Sequence, residues 1–482
     1  MLGRIPTVAE IEAFEDDKGP AAEKKVVLLD ELLVADEFAQ QHARTWTTYW
    51  TNVLIGRTGG TQEDSLVNRE GLQEYLHESL LENKPFDQMA LELISATGSN
   101  DPGAEDFNGA TNFMLSGIES EGFLATSKTC QVFLGKQLQC AQCHDHPFNK
   151  DVKQQQFWQM AAFFRQSGIE QDDRLIRLVD RDVFGPPDNV EEVGVAFRGH
   201  DGVQSVAYPV FIDGTELPRS GRLKHANRRT ELAELVVGSP DFSRAIVNRT
   251  WAQILGRGFT WPIDDMGPHN EPSHPELLDY LADHFAAHDY NFKDLVRWIS
   301  LSEVYSLSSQ IDDGNRADAP EITKSPLFSR YYARPMQPEE VYESLLALAG
   351  PQVEAEDFAA QEAAKLQWLG QFTIDLQTDD GSELAIFDAS YTQKLEMLGG
   401  ELMQRATDPE NRDGVLHRVL KSYMPREKKV EHLFLASLAR RPTPDELAAS
   451  LQVMEDRPDD IDGALEDIWW ALLNSSEFLL DR

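Results

Sequence analysis

Three reactive side chains fall within five consecutive residues, Cys140-Ala-Gln-Cys143-His144. Two thiols three residues apart, followed at once by an imidazole, have the spacing that forms two thioethers with haem vinyl groups while the imidazole turns onto the iron. Two other chemistries use the same residues. Cys140, Cys143, His144 and His146 are all acceptable zinc ligands. Four ligands inside seven residues would struggle to surround one ion tetrahedrally, however, so a zinc site would take its remaining ligands from a distant His or Asp. Cys140 and Cys143 could equally form a disulfide or redox pair, with Cys130 either buried as a small hydrophobe or acting as a resolving thiol. With only 3 cysteines, the chain is not a disulfide-built scaffold. His146 lies too close to His144 to reach the far side of the same iron. Its roles are a hydrogen bond inside the tight turn or contact with another metal. Met160, on the helix predicted to follow, is the candidate for the far side.

A second group lies in Asp264-Asp265-Met-Gly-Pro-His269-Asn270-Glu271-Pro-Ser-His274. The carboxylates of Asp264 and Asp265 and the imidazoles of His269 and His274 suit metal binding or acid–base work. The competing reading is a structural corner, in which Ser273 and Glu276 form a capping box for a helix carrying Leu277, Leu278 and Leu281. Asn248, Arg249 and Trp251 would then tie the preceding helix to this loop. No nucleophile elbow, phosphate loop or His-Glu-x-x-His zinc helix occurs.

The elements that must hold these residues are mostly helical. Thr7 and Glu10 have the form of a capping box, and Val26, Leu28, Leu29, Leu32 and Leu33 continue at helical spacing until Gly56, Gly59 and Gly60 break the pattern. Apolar residues from Gly122 to Leu138 predict a buried helix leading into the cysteine turn. Asp151 is placed to cap a second helix, carrying Val152, Phe157, Trp158, Met160, Ala161 and Phe164. Between about 170 and 215 the chemistry changes to turns and to the alternation of Val206, Tyr208, Val210 and Ile212, which predicts a strand. Helical spacing resumes at Arg228, with caps at Ser239-Pro240 and Thr443-Pro444 and a stop at Gly256. The fold class is therefore mainly α, two helical domains joined by a small β-containing insert, with divisions at 1–168, 169–222 and 223–482.

At 482 residues with 41% hydrophobic side chains, the chain can bury more than one core. The 82 acidic residues against 44 basic ones give a formal charge of -38, which repels nucleic acid and anionic membrane surfaces. No apolar stretch reaches the roughly 18 to 20 residues of a membrane helix, and Ile468-Trp469-Trp470-Ala471-Leu472-Leu473 soon meets Asn474-Ser475-Ser476-Glu477.

The stretch from Phe133 through Cys140-Ala-Gln-Cys-His-Asp-His-Pro-Phe148, with Ala161-Ala-Phe-Phe164, resembles a domain of unknown function abundant in planctomycete bacteria and associated with secreted cytochrome domains. Arg228-Arg229-Thr-Glu-Leu-Ala233, Ala245-Ile-Val-Asn-Arg-Thr-Trp251, Gly256-Arg-Gly258, Asp264-Asp265 and Pro272-Ser-His-Pro-Glu-Leu-Leu278 resemble the partner domain that usually follows it. So do Arg441-Pro-Thr-Pro-Asp-Glu446 and Trp470-Ala-Leu-Leu-Asn-Ser-Ser-Glu-Phe478. The resemblance implies export to the periplasm or the extracellular space, coupling to a separate cytochrome c domain or other redox partner, and a haem role, but no established reaction. It also implies that Leu2-Gly-Arg-Ile-Pro-Thr7, which has no signal-segment character, belongs to the interior of the first domain. Residues and resemblance together lead to an expected exported c-type haem protein with an electron-transfer or redox role. The alternatives are an exported metal-dependent enzyme acting on an extracellular polymer and a non-catalytic structural or assembly protein.

Overall fold

The computed structural model describes the chain except residues 63, 173–174, 201, 319–324, 352–356, 373–396 and 482, and except the side chains of 37, 120 and 121. It is mainly α, with small β-containing regions, and its described residues pack into two compact units. Among the described residues, one unit comprises 1–38, 333–372 and 397–481, and the other 39–332, so packing crosses the sequence divisions at 168 and 222.

In the first unit, α1 (Val8–Asp16) and α2 (Ala21–Val34) open the chain. Thr7 caps α1, and Glu10 returns the bond to the Thr7 N–H at 2.6 Å, so two exposed donors are satisfied by one pair of side chains. Helices at Pro338–Ala349, Glu401–Thr407, Val415–Lys421, Arg426–Leu438 and Ile461–Leu473 bury Val341, Leu345, Leu402, Leu416, Val430, Leu433, Leu465 and Trp469 in a shared core. Thr443 and Glu446 cap Pro444–Glu455 as their spacing predicts.

The second unit carries both candidate groups. Its helices are α3 (Asp36–Ile55), α4 (Arg69–Leu81), α5 (Phe86–Ser95), α6 (Thr111–Leu115), α7 (Glu119–Leu134), α8 (Gln154–Ala161), α9 (Arg228–Val237), α10 (Pro240–Leu255), α11 (Pro275–Ala287) and α12 (Phe292–Leu301). Trp50, Phe86, Phe133, Phe242 and Phe292 meet in its centre as tilted and edge-on ring pairs, among them Trp50 with Phe86 at 4.7 Å between ring centres.

The predicted β insert is present as two small sheets. β1 (Gly98–Ser99), β2 (Ser167–Asp172) and β3 (Leu175–Asp180) form an antiparallel sheet in the order β1-β3-β2, with Ile169 opposite Leu178. β4 (Val195–Arg198) and β5 (Gln204–Ala207) form a hairpin, with Phe197 opposite Ser205. Of the alternating residues at 206–212, only Val206 lies in a strand; Val210 makes an isolated bridge to Glu216, because the chain turns at Asp213-Gly214 instead of extending. The helix predicted through Leu138 also stops early, at Leu134. Gly135 takes a left-handed conformation (φ 60°) and its amide caps the Cys130 carbonyl, so the apolar pattern outlasts the helix.

Arg229 joins the sheet to the helices. Its guanidinium pairs with Asp180 at 2.9 Å and donates to the carbonyls of Ile94 (3.1 Å) and Ala96 (2.8 Å), with both charged side chains almost wholly buried. Arg229→Met leaves Asp180 charged in the interior and two carbonyls unbonded, and is expected to cost about 3–5 kcal/mol in chemical denaturation. Arg229→Met combined with Asp180→Asn should recover part of that loss, and equal losses in the single and double variants would show that the ion pair is not the cause.

Candidate functional site

Past Gly135 the chain keeps Leu138 buried, then winds through one 3-10 turn, Gln139–Gln142. So short a turn has little stability of its own and must be held from outside. Ala141 points inward and is 0% exposed, while Cys140, Cys143 and His144 lie at the surface, the thiols free. Cys130, one helical stretch earlier, is buried, and burial raises its thiol to a pKa of about 12.

The turn is fastened at one carbonyl. Gln142 O accepts from Gln154 Nε2 at 3.2 Å and from Trp158 Nε1 at 3.1 Å, both on α8. Gln154 is itself buried. It also donates to Arg198 O at 3.1 Å and accepts from the His200 N–H at 3.2 Å, so one amide joins the turn, α8 and the β4–β5 hairpin. Trp158 stacks on Phe197 of that hairpin at 5.4 Å and 11° and meets Phe123 of α7 edge-on at 5.0 Å.

Asp145, inside the motif, does what was expected of Asp151. Its Oδ1 accepts from the Gln154 N–H at 3.0 Å, capping α8 from nine residues away, while Lys153 lies 3.2 Å from Oδ2. These two contacts hold the carboxyl below the usual range, the backbone bond contributing most. Asp151 spends its own backbone N–H on Asn149 Oδ1.

The two imidazoles of the motif take opposite tautomers. His144 Nδ1 lies 2.7 Å from the carbonyl of Asp145, which can only accept, so in the neutral ring Nδ1 carries the proton and Nε2 the lone pair. His146 Nδ1 faces the N–H groups of Asn149 (2.8 Å) and Phe148 (3.3 Å), so it accepts and the neutral ring carries its proton on Nε2. Burial keeps that ring below the usual histidine range, against the opposing pull of Asp265. The backbone of His146 is pinned to Val152 O at 3.0 Å. Its ring therefore stiffens the turn that follows the cysteines.

The second group divides. Asp264 is 1% exposed and faces inward to the side-chain amides of Gln131 and Gln137, the latter at 2.7 Å. His274 lies against Phe328, 5.5 Å between ring centres, and its Nδ1 meets Ser273 Oγ at 3.0 Å. Ser273 does not cap α11: His274 stands at the cap position and Pro275 begins the helix, which shifts the boundary one residue beyond the predicted box. Asp265 and His269 remain together, with Oδ2 3.0 Å from Nε2, and His269 lies 5.6 Å from His146 between ring centres. Asn248 ties α10 to this loop, accepting from the Phe259 N–H at 2.7 Å and donating to Thr260 Oγ1 and Ile263 O at 2.9 Å. The Met266 N–H donates to Gly135 O at 2.7 Å, so the loop also docks on the end of α7. Among the described residues, no three His, Cys, Asp or Glu side chains are grouped so as to hold a metal ion. Met160 is 1% exposed, in the interior.

Residues 1–168 match the model of a protein family of unknown function (DUF1549, PSCyt2), and residues 228–454 match a second (DUF1553, PSD1). The chain belongs to these two families, one following the other. The cysteine turn and α8 lie in the PSCyt2 segment, and the Asp265–His269 loop lies in the PSD1 segment, so the His146–His269 contact joins the two families within one compact unit. Gln154 lies in the PSCyt2 segment, but its partners Arg198 and His200 lie between the two matches. No curated protein and no solved structure matches the chain.

Sequence reading did not single out Gln154, Trp158, Asp145 or His200 as parts of this site. Only the separation of Asp145 from α8, closed by a short loop, offered a local signal. In the folded chain without haem, a thiol reagent should modify Cys140 and Cys143 and spare Cys130 until denaturant is added. Mass spectrometry that finds three fast thiols would contradict the burial of Cys130. Gln154→Ala removes the amide from three backbone partners and is expected to cost about 1–3 kcal/mol and to speed modification of Cys143. An unchanged labelling rate would mean that the turn holds its shape without this clamp.

Proposed function

We propose that this chain is an exported c-type haem-binding protein with an electron-transfer or redox role. The observation that carries the reading is the state of His144: its Nδ1 bond to the Asp145 carbonyl leaves the Nε2 lone pair available, the form an axial imidazole needs, on an exposed turn with two free thiols. The donor set fits the group. Cys140 and Cys143 would each add a thiol across a haem vinyl group, forming a thioether without net oxidation, and His144 would hold the iron. Haem bound there supplies one-electron chemistry.

The chain's own residues supply position. Gln154 and Trp158 keep Gln142 in place between the two cysteines, and Asp145 fixes the direction in which α8 leaves the turn. His146 is less suited to metal, since its Nδ1 is occupied as an acceptor and its Nε2 holds the proton. The charge of -38 favours a redox partner, or a separate cytochrome c domain, that presents a basic face. Export to the periplasm or beyond agrees with covalent haem attachment, which in bacteria follows export, and with the secreted cytochrome domains of proteins that these motifs resemble.

Protein made with haem-maturation machinery and sent to the periplasm should show, in alkaline pyridine, the haemochrome of a doubly attached haem, one per chain. Cys140→Ala or Cys143→Ala should leave a single thioether and shift the band, and the double variant should hold no covalent haem. A parent protein that emerges without covalent haem overturns the proposal.

A further inference from the structure

Haem iron has two axial positions on opposite sides, so a second protein ligand must come from a segment other than the attachment turn. The structure brings one such segment to the turn, the β4–β5 hairpin, and His200 stands at its tip between Gly199 and the hairpin's return at Gly202. We infer that His200 is the second axial ligand of the haem held by Cys140, Cys143 and His144, an inference that rests on the haem reading above.

Three observations carry it. The backbone of His200 is held at the site: its N–H donates to Gln154 Oε1 at 3.2 Å, and the same side chain donates to Gln142 O, between the two cysteines, at 3.2 Å. Two hydrogen bonds thus separate the hairpin tip from the turn. The hairpin is held there by Phe197, stacked on Trp158, and Trp158 bonds the same Gln142 carbonyl. The His200 side chain is exposed, so its backbone is anchored while its imidazole can change rotamer.

The other imidazoles and thioethers near the turn are committed elsewhere. His146 is buried with Nδ1 engaged by two backbone N–H groups, His269 is paired with Asp265, and Met160 and Met266 are buried. The step itself is coordination alone: a lone pair of the neutral His200 imidazole forms a bond to iron, with no change of oxidation state and no proton transferred once the ring is neutral.

The test uses holoprotein with covalent haem, compared with His200→Ala and His200→Gln by visible absorption and electron paramagnetic resonance in the ferric state. The parent is expected to be low-spin with two imidazole ligands. Both variants should keep covalent haem and become high-spin, and added free imidazole should restore the low-spin spectrum. His200→Met should raise the reduction potential relative to the parent, as a thioether replaces an imidazole. A high-spin parent, or variants that stay low-spin with unchanged spectra, overturns the assignment of His200 and leaves the haem reading intact. A parent without covalent haem removes the haem reading, and this assignment with it.

Discussion

The carbonyl of Gln142 takes two side-chain N–H bonds, from Gln154 and Trp158, and the surface turn between Cys140 and His144 depends on them. Neither a ladder of strand bonds nor a run of helical bonds is available to a four-residue 3-10 turn. Its stability is borrowed from α8, whose own position follows from burying Phe157, Trp158, Met160 and Ala161. Core packing thereby reaches the exposed thiols through one peptide group. The same two side chains extend the connection to the hairpin, Gln154 through its amide and Trp158 through its ring.

Chemistry at the turn is divided by backbone geometry rather than by residue type. His144 and His146 are two residues apart and chemically identical in sequence. One sees a carbonyl and keeps its proton on Nδ1; the other sees two amides and keeps it on Nε2. The first is left exposed at the surface, the second as a brace facing inward. Asp145, between them, is drawn away from both to cap α8.

A parallel division runs through the 264–274 loop. Asp264 is consumed by the amides of Gln131 and Gln137, which ties the loop to α7 and to the approach to the turn. His274 is absorbed into aromatic packing with Phe259 and Phe328. Asp265 and His269 are left to face His146. What reads along the chain as one collection of ionisable groups is, in the fold, a corner with one acid–imidazole pair turned toward His146. It is joined to the approach to the cysteine turn by the Met266 N–H bond to the Gly135 carbonyl and by the two Asp264 bonds to Gln131 and Gln137.

The amino-acid sequence alone determined what neighbours along the chain can decide. The capping boxes at Thr7 and Thr443, the helix start at Ser239-Pro240 and the stop at Gly256 are visible because a cap and the amide it serves lie within four residues of each other. The mainly α class and the small β insert follow from the same short-range periodicities, and the Cys140–His144 grouping is legible because its members are adjacent. The end of α7 was decided locally as well, by Gly135 capping the Cys130 carbonyl five residues back; only the tertiary structure decided which acid caps α8, that His146 meets His269, and that Gln154 links the turn to His200. Those outcomes rest on which backbone groups packing brings within hydrogen-bond reach. An acid at Asp151 carries no record of that, because the partners come from other segments that the fold brings together.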